Sequence, residues 1–180
     1  MDTTSHLYMG DEKIGKLLQS FKKFTKHHDV FDAQWIDDAS DEMFRQVGNK
    51  VRRLTTGREC TCVRCGVTAN VIITYRHHNE SPGVRHTDLF SMVPAHGLRM
   101  FTADHTLPKA WGGNSRVSNL RPMCLSCNQN KGDHLSSVEI HTMLAQLDDH
   151  LHWNSKKIGR FVQRLYQHFP EIAIIGMITL

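Results

Sequence analysis

Two pairs of cysteines and a short run around an Asp-His dipeptide carry the chemistry this sequence can offer. Cys62-Val-Arg-Cys65 and Cys124-Leu-Ser-Cys127 are CxxC units separated by 58 residues. Two intervening residues let both thiolates of a unit reach one ion from a tight turn, and two such turns complete a tetrahedral four-sulfur site. Zn²⁺ is the expected occupant. With four protein ligands it keeps no open position for water, so its role is structural. Redox-active thiols are the competing reading, but five cysteines arranged as CxxC pairs favour metal over a disulfide framework. Cys60 is left over and is expected to be a bystander thiol.

Between the cysteine pairs lies Asp104-His105-Thr-Leu-Pro108-Lys109, then Gly112-Gly113, Asn119-Leu120-Arg121-Pro122 and, after Cys127, Asn128-Gln-Asn-Lys131-Gly132. Asp104 offers a hard oxygen for Mg²⁺ or a similar ion. His105 follows it directly. On a strand it points to the opposite side, so one residue can hold metal while the other addresses water. Pro108 and the glycine pair mark a turn-rich loop before Asn119. The separation of the two CxxC units makes the metal a clamp on a functional insert, where a self-contained finger would hold only a short loop.

The pattern DH…P…GG…NL…CxxCN…KG, over about residues 60–134, closely resembles the HNH, or ββα-metal, nucleases, including the four-cysteine branch of phage junction resolvases and homing endonucleases. The resemblance implies a two-stranded hairpin followed by a helix. Asp104 and Asn128 would ligate a catalytic Mg²⁺ or Mn²⁺, and His105 would be the general base that deprotonates the attacking water. Asn119 would hold the hairpin loop and the histidine. Cleavage would leave a 5′ phosphate, with Lys131, Arg121 and Lys109 on neighbouring phosphates. Asn128 stands where many members have His, which predicts an oxygen-preferring ion. The stretch from Cys65 to Asp104 is long for the module and implies an inserted hairpin at about residues 75–97. Its His77, His78, His86 and His96 are expected to be solvated or near phosphate, and His134 to be structural or close to substrate.

The elements that must position these groups are legible in part. Residues 11–28 read as a helix with Ile14, Leu17, Leu18, Phe21 and Phe24 on one face. A second helix is expected from Asp41 to Leu54. Strands are expected at Val71–Tyr75, Asp88–Val93 and Leu98–Ala103, with a turn at 94–97 and a loop over HHNESPGVRH. Ser136 and Glu139 form a capping-box pattern ahead of Ile140, Met143, Leu144, Leu147 and Leu151. Ile158, Phe161, Val162, Leu165 and Phe169 repeat the helical spacing up to Pro170. The apolar end IAIIGMITL is expected to add a strand or to pack on the helices.

The fold class expected is α+β: a ββα-metal centre with a four-cysteine zinc knuckle, flanked by N- and C-terminal helices. The expected divisions are a helical extension over 1–55, the nuclease module over 56–134 and a second helical extension over 135–180. The net charge of +4 arises wholly from the module, which carries nine basic and five acidic side chains while both flanks are balanced. A positive centre suits a polyanion. No apolar run reaches the ~20 residues of a membrane span. The polar start lacks the order of a secretory signal, so an unexported, cytoplasmic protein of a bacterium or phage-infected cell is expected. The function expected is DNA endonuclease acting on double-stranded DNA, sequence-directed as in homing or phage enzymes, as monomer or homodimer. A structure-selective junction resolvase is the first alternative, although no coiled-coil heptad is visible. A zinc DNA-binding module without catalysis is the alternative of another class.

Overall fold

The computed structural model describes residues 11–94, 96–136, 139–140 and 155–168. The order of elements is α1 (Asp11–Thr25), β1 (His28–Trp35), α2 (Asp41–Gln46), α3 (Asn49–Arg52), β2 (Val71–His77), β3 (His86–Val93), β4 (Gly97–His105), β5 (Leu120–Cys124), α4 (Leu125–Lys131) and α5 (Ser155–His168). Single 3₁₀ turns occupy Lys109–Trp111 and Val117–Asn119. The strands form one sheet in sequence order, β1-β2-β3-β4-β5, so helices and an antiparallel sheet are combined as an α+β fold. The chain divides into two compact units, residues 1–103 with 122–129, and residues 104–121 with 130–180.

In the first unit β2 is buried on both faces. Val71, Ile73 and Tyr75 point one way and pack with Phe90, Phe21 and Phe24. Ile72 points the other way, into a core with Leu89, Phe101, Met43, Val47, Val51 and the cysteines 60, 62 and 124. A continuous apolar run is what such a doubly covered strand requires. Helix α1 lies close to the β3–β4 turn. Ser20 Oγ accepts from Leu98 N at 2.8 Å. Gly97, at φ 68°, admits no side chain there, because a Cβ would stand 2.8 Å from that same oxygen. Phe21 and Phe24 pack against the sheet, but Leu18, expected on that face, is 56% exposed.

Two expectations are corrected here. The helix expected from Asp41 to Leu54 is two short helices, capped at Ser40, whose Oγ accepts from Met43 N, and broken at Val47-Gly48. Gly48 N donates to Thr87 O at 3.0 Å, so a sheet carbonyl takes the amide that a continuous helix would use internally. Strand β1 was not legible at all. It is an edge strand with a bulge between Val30 and Asp32, and its burial does not alternate cleanly. The stretch expected as a loop over 77–86 is bounded by strand residues His77 and His86.

The second unit has its own core of Leu107, Trp111, Leu135, Ile140 and Leu165, with Val162 partly buried against it. Helix α5 bears out the helical spacing around Val162 and Leu165. Trp111 Nε1 donates to Asp133 O at 2.7 Å, which satisfies the indole inside that core. The capping box is present: Ser136 Oγ accepts from Glu139 N, and Glu139 Oε2 accepts from Ser136 N at 2.9 Å. Met143 to Leu151, Phe169, Pro170 and the apolar end lie outside the described residues.

Candidate functional site

The knuckle of the first unit is built by backbone before it is built by sulfur. Cys62 N donates to Val67 O at 2.8 Å and Gly66 N to Cys62 O at 2.9 Å. The chain turns through Gly66 at φ 71°, a left-handed conformation in which a side chain would be strained. The second CxxC runs from the last residue of β5 into the first turn of α4. Together they bring Cys62, Cys65, Cys124 and Cys127 to within 4.8 Å of one another. Cys65 Sγ and Cys124 Sγ are 3.8 Å apart. A tetrahedron with bonds of about 2.3 Å has edges of roughly 3.8 Å, so the four sulfurs fit a zinc ion. Arg99 Nη1 donates to Cys65 Sγ at 3.7 Å, and Arg64 Nη1 to Cys127 O at 3.3 Å. Both cations offset the negative charge of a thiolate cluster. Cys60 is outside the cluster. It is buried in the core, and burial with the nearby Cys62 sulfur pushes its thiol up to about 12.

Asn128, on α4 of the same unit, donates from Nδ2 to Thr102 Oγ1 at 2.9 Å. That bond uses the amide nitrogen; the carbonyl Oδ1 is the atom an ion would take.

Asp104, His105, Asn119, Arg121 and Lys131 belong to the second unit. Adjacent positions at the end of β4 send Asp104 inward, 3% exposed, and leave His105 half-buried. His105 Nε2 is 3.1 Å from Ser115 Oγ. The loop beyond it is closed by Asn119, itself buried. Its Oδ1 accepts from Leu107 N at 2.9 Å, while Nδ2 donates to Leu107 O at 3.0 Å and Asn114 O at 2.8 Å. The amide thus substitutes for a missing strand neighbour at both Leu107 groups. The glycine pair has a steric reason. Gly112 sits at φ 96°, and a Cβ on Gly113 would lie 1.8 Å from Leu107 O. Alanine at position 119 should therefore leave buried backbone groups unpaired and cost about 2–3 kcal/mol. Chemical denaturation checks this; an unchanged midpoint would remove Asn119 as the latch.

Lys131 and Arg121 turn inward. Lys131, 7% exposed, places Nζ 2.9 and 3.0 Å from the two Asp104 oxygens and donates to His105 O at 2.7 Å. Arg121 Nε donates to Asp104 Oδ2 at 2.9 Å, and its Nη2 pairs with Glu139. Burial would weaken the Arg121 charge, but these two carboxylates outweigh it and hold its pKa above the usual value. Lys109 is exposed on the loop, and His134 is exposed beyond α4.

Residues 97–141 match the family model of the HNH endonucleases. This segment resembles an HNH endonuclease domain, which points to a nuclease. No curated protein and no solved structure matches the chain. The HNH match begins at Gly97 and runs past the second CxxC to residue 141, so it includes Glu139. Sequence reasoning placed Glu139 as a helix cap and missed its second partner, Arg121. It missed Ser115 altogether, because nothing in its spacing marks a contact to His105.

HNH nucleases depend on metal, and the donors present can be weighed against that need. A carboxylate has about four lone-pair directions; hydrogen bonds from Lys131 and Arg121 take three of those on Asp104. One stays open to a hard divalent ion. Two anions, Asp104 and Glu139, already balance two cations, Arg121 and Lys131. The set therefore fits an ion that arrives beside a phosphate anion better than an ion alone.

Proposed function

We propose that this chain is a metal-dependent endonuclease that hydrolyses phosphodiester bonds in double-stranded DNA, sequence-directed in the manner of homing or phage enzymes. Zinc on Cys62, Cys65, Cys124 and Cys127 is its structural ion. The observation that carries the reading is His105: half-buried at the end of β4 within the HNH match, with a buried, charge-balanced Asp104 behind it and a loop latched by Asn119 beside it. In this reading His105 accepts the proton of the attacking water. Asp104 offers one oxygen to Mg²⁺ or Mn²⁺, and Asn128 is assigned as the second ligand by the family pattern alone. The ion, when bound, offsets charge on the scissile phosphate and the departing 3′ oxygen. Arg121 and Lys131 fix the Asp104 carboxylate. Arg121, 23% exposed, and the exposed Lys109 are the candidates for a flanking phosphate. Lys131 acts through Asp104.

Supercoiled plasmid incubated with the protein tests this directly. Nicked or linear products with 5′ phosphate ends are expected with Mg²⁺ or Mn²⁺ and none with chelator. No cleavage under any divalent ion would overturn the nuclease reading.

The scissile-phosphate contacts of such a centre carry no sequence information, so target choice must come from elsewhere. Helix α1 is the candidate in the first unit. Lys22, Lys23 and Lys26 are exposed, and Lys16, Lys23, His96 and Arg99 line one open groove of about 420 Å³. Replacing Lys22, Lys23 and Lys26 with Gln should weaken target affinity and flatten its salt dependence, since each released phosphate contact removes close to one counterion. Cutting should become less site-selective. Unchanged slope and selectivity would make α1 scaffold.

A further inference from the structure

The sheet gathers a second set of metal-ligating side chains in the first unit. Tyr75 and His86 are register partners on β2 and β3, and His28 and His77 are partners on β1 and β2. Cross-strand partners share a face, and His77 lies two residues beyond Tyr75, so it shares that face too. The pairing therefore lays His28, His77 and His86 side by side: the His77 ring centroid is 4.4 Å from that of His28 and 5.2 Å from that of His86. The connection between β2 and β3 then turns back at once. Glu80 N donates to His77 O at 3.0 Å, and Glu80 Oε2 accepts from His77 N at 3.0 Å. That closure aims the carboxylate at His86, whose Nε2 is 2.9 Å from both of its oxygens.

We propose that His77, Glu80 and His86 form a second metal site, for a divalent cation of the zinc class. Their ligand atoms all lie within 4.8 Å of one another, and each residue is partly buried. Ligands on bonds of about 2.1 Å stand roughly 3.4 Å apart in a tetrahedron, a spacing that small side-chain rotations reach from here. Two imidazoles and one carboxylate select a borderline transition ion; Mg²⁺ and Ca²⁺ prefer sets of oxygens alone. Three protein ligands leave one coordination position for water or a small anion, unlike the closed four-sulfur knuckle. The neighbouring histidines are engaged with partners of their own. His28 is stacked on Phe24 at 4.2 Å with Nδ1 on Phe24 O, and His78 pairs with Asp29. Two of the three ligands sit on paired strands, so the donors are positioned by the ladder, not by a free loop. An ion there pins the two strand ends across their connection.

Zinc titration of the purified, knuckle-loaded protein tests the site, read by calorimetry and by metal content after gel filtration. The expected result is one further equivalent of Zn²⁺ per chain, not displaced by excess Mg²⁺, with a rise in the melting temperature. Co²⁺ at this site should add only weak d–d absorption, without the intense thiolate charge-transfer band of the cysteine cluster. His77→Ala and His86→Ala should each abolish the added equivalent, and Glu80→Gln should weaken it, while the cysteine-bound ion stays. Asp104→Ala should leave it intact, which separates this site from the nuclease centre. Absence of the second equivalent in the unsubstituted protein, or its survival in a folded His77→Ala/His86→Ala double variant, would overturn the proposal.

Discussion

Alanine at position 105 is expected to slow plasmid cleavage by about 10²–10⁴-fold, the usual contribution of a positioned general base. The loss should be confined to the chemical step. His105 is half-buried at the end of β4, and its Nε2 lies 3.1 Å from the hydroxyl of the exposed Ser115. Its removal leaves the Asn119 latch and the Asp104 cluster standing, because those bonds run through Leu107, Asn114, Lys131 and Arg121. DNA affinity and melting temperature should therefore stay close to those of the parent. Ser115→Ala is the useful contrast. It removes one orienting partner at 3.1 Å and should cost far less than the base itself. Parent-level cutting by His105→Ala, with the fold intact, would remove His105 from the mechanism.

Serine at position 124 should do greater damage, and of another kind. Cys124 is fully buried in the core that also contains Ile72, Leu89, Phe101 and Met123. Structural zinc supplies an apparent ~10–16 kcal/mol at neutral pH in finger peptides, against a whole-domain stability of only ~5–15 kcal/mol. Without the ion, four crowded sulfurs sit beside that core. Thiolates held within 4.8 Å of one another repel, so the cluster resists full ionisation unless a cation compensates it. Cys124→Ser should lose the cysteine-bound zinc and give insoluble or unfolded protein, measured by metal content, solubility and circular dichroism. Cys60→Ala should keep its zinc, because Cys60 lies outside the cluster. A soluble Cys124→Ser protein with parental melting would refute the structural ion.

What the sequence determined by itself is the chemistry written in short spacings. CxxC twice, Asp-His, Gly-Gly and Asn-Leu each impose a local geometry that few backbones satisfy. The structure shows that geometry in the Gly66 turn, in the left-handed Gly112, in the space denied to Gly113 and in the four sulfurs drawn together. The amphipathic spacing of α1 and α5 and the apolar run of β2 were legible for the same reason: burial imposes a period on the chain. The family match at 97–141 covers the Asp-His, Gly-Gly and Asn-Leu pairs and the second CxxC.

Partnerships between distant residues were decided only by tertiary structure. Strand β1 owes its existence to hydrogen bonds with β2, since an edge strand with a bulge and one wet face has no distinctive pattern. Gly48 breaks a helix that its neighbours would continue, because Thr87 takes its amide. Lys131 and Arg121 look in sequence like solvent-seeking cations near a phosphate. A buried carboxylate must be paired wherever the fold buries it, and this fold buries Asp104 between them. His77, Glu80 and His86 looked like a solvated polar stretch, and strand register made them one cluster. Spacing along the chain fixes what a residue can do locally; desolvation and register across the fold fix which residue it does it with.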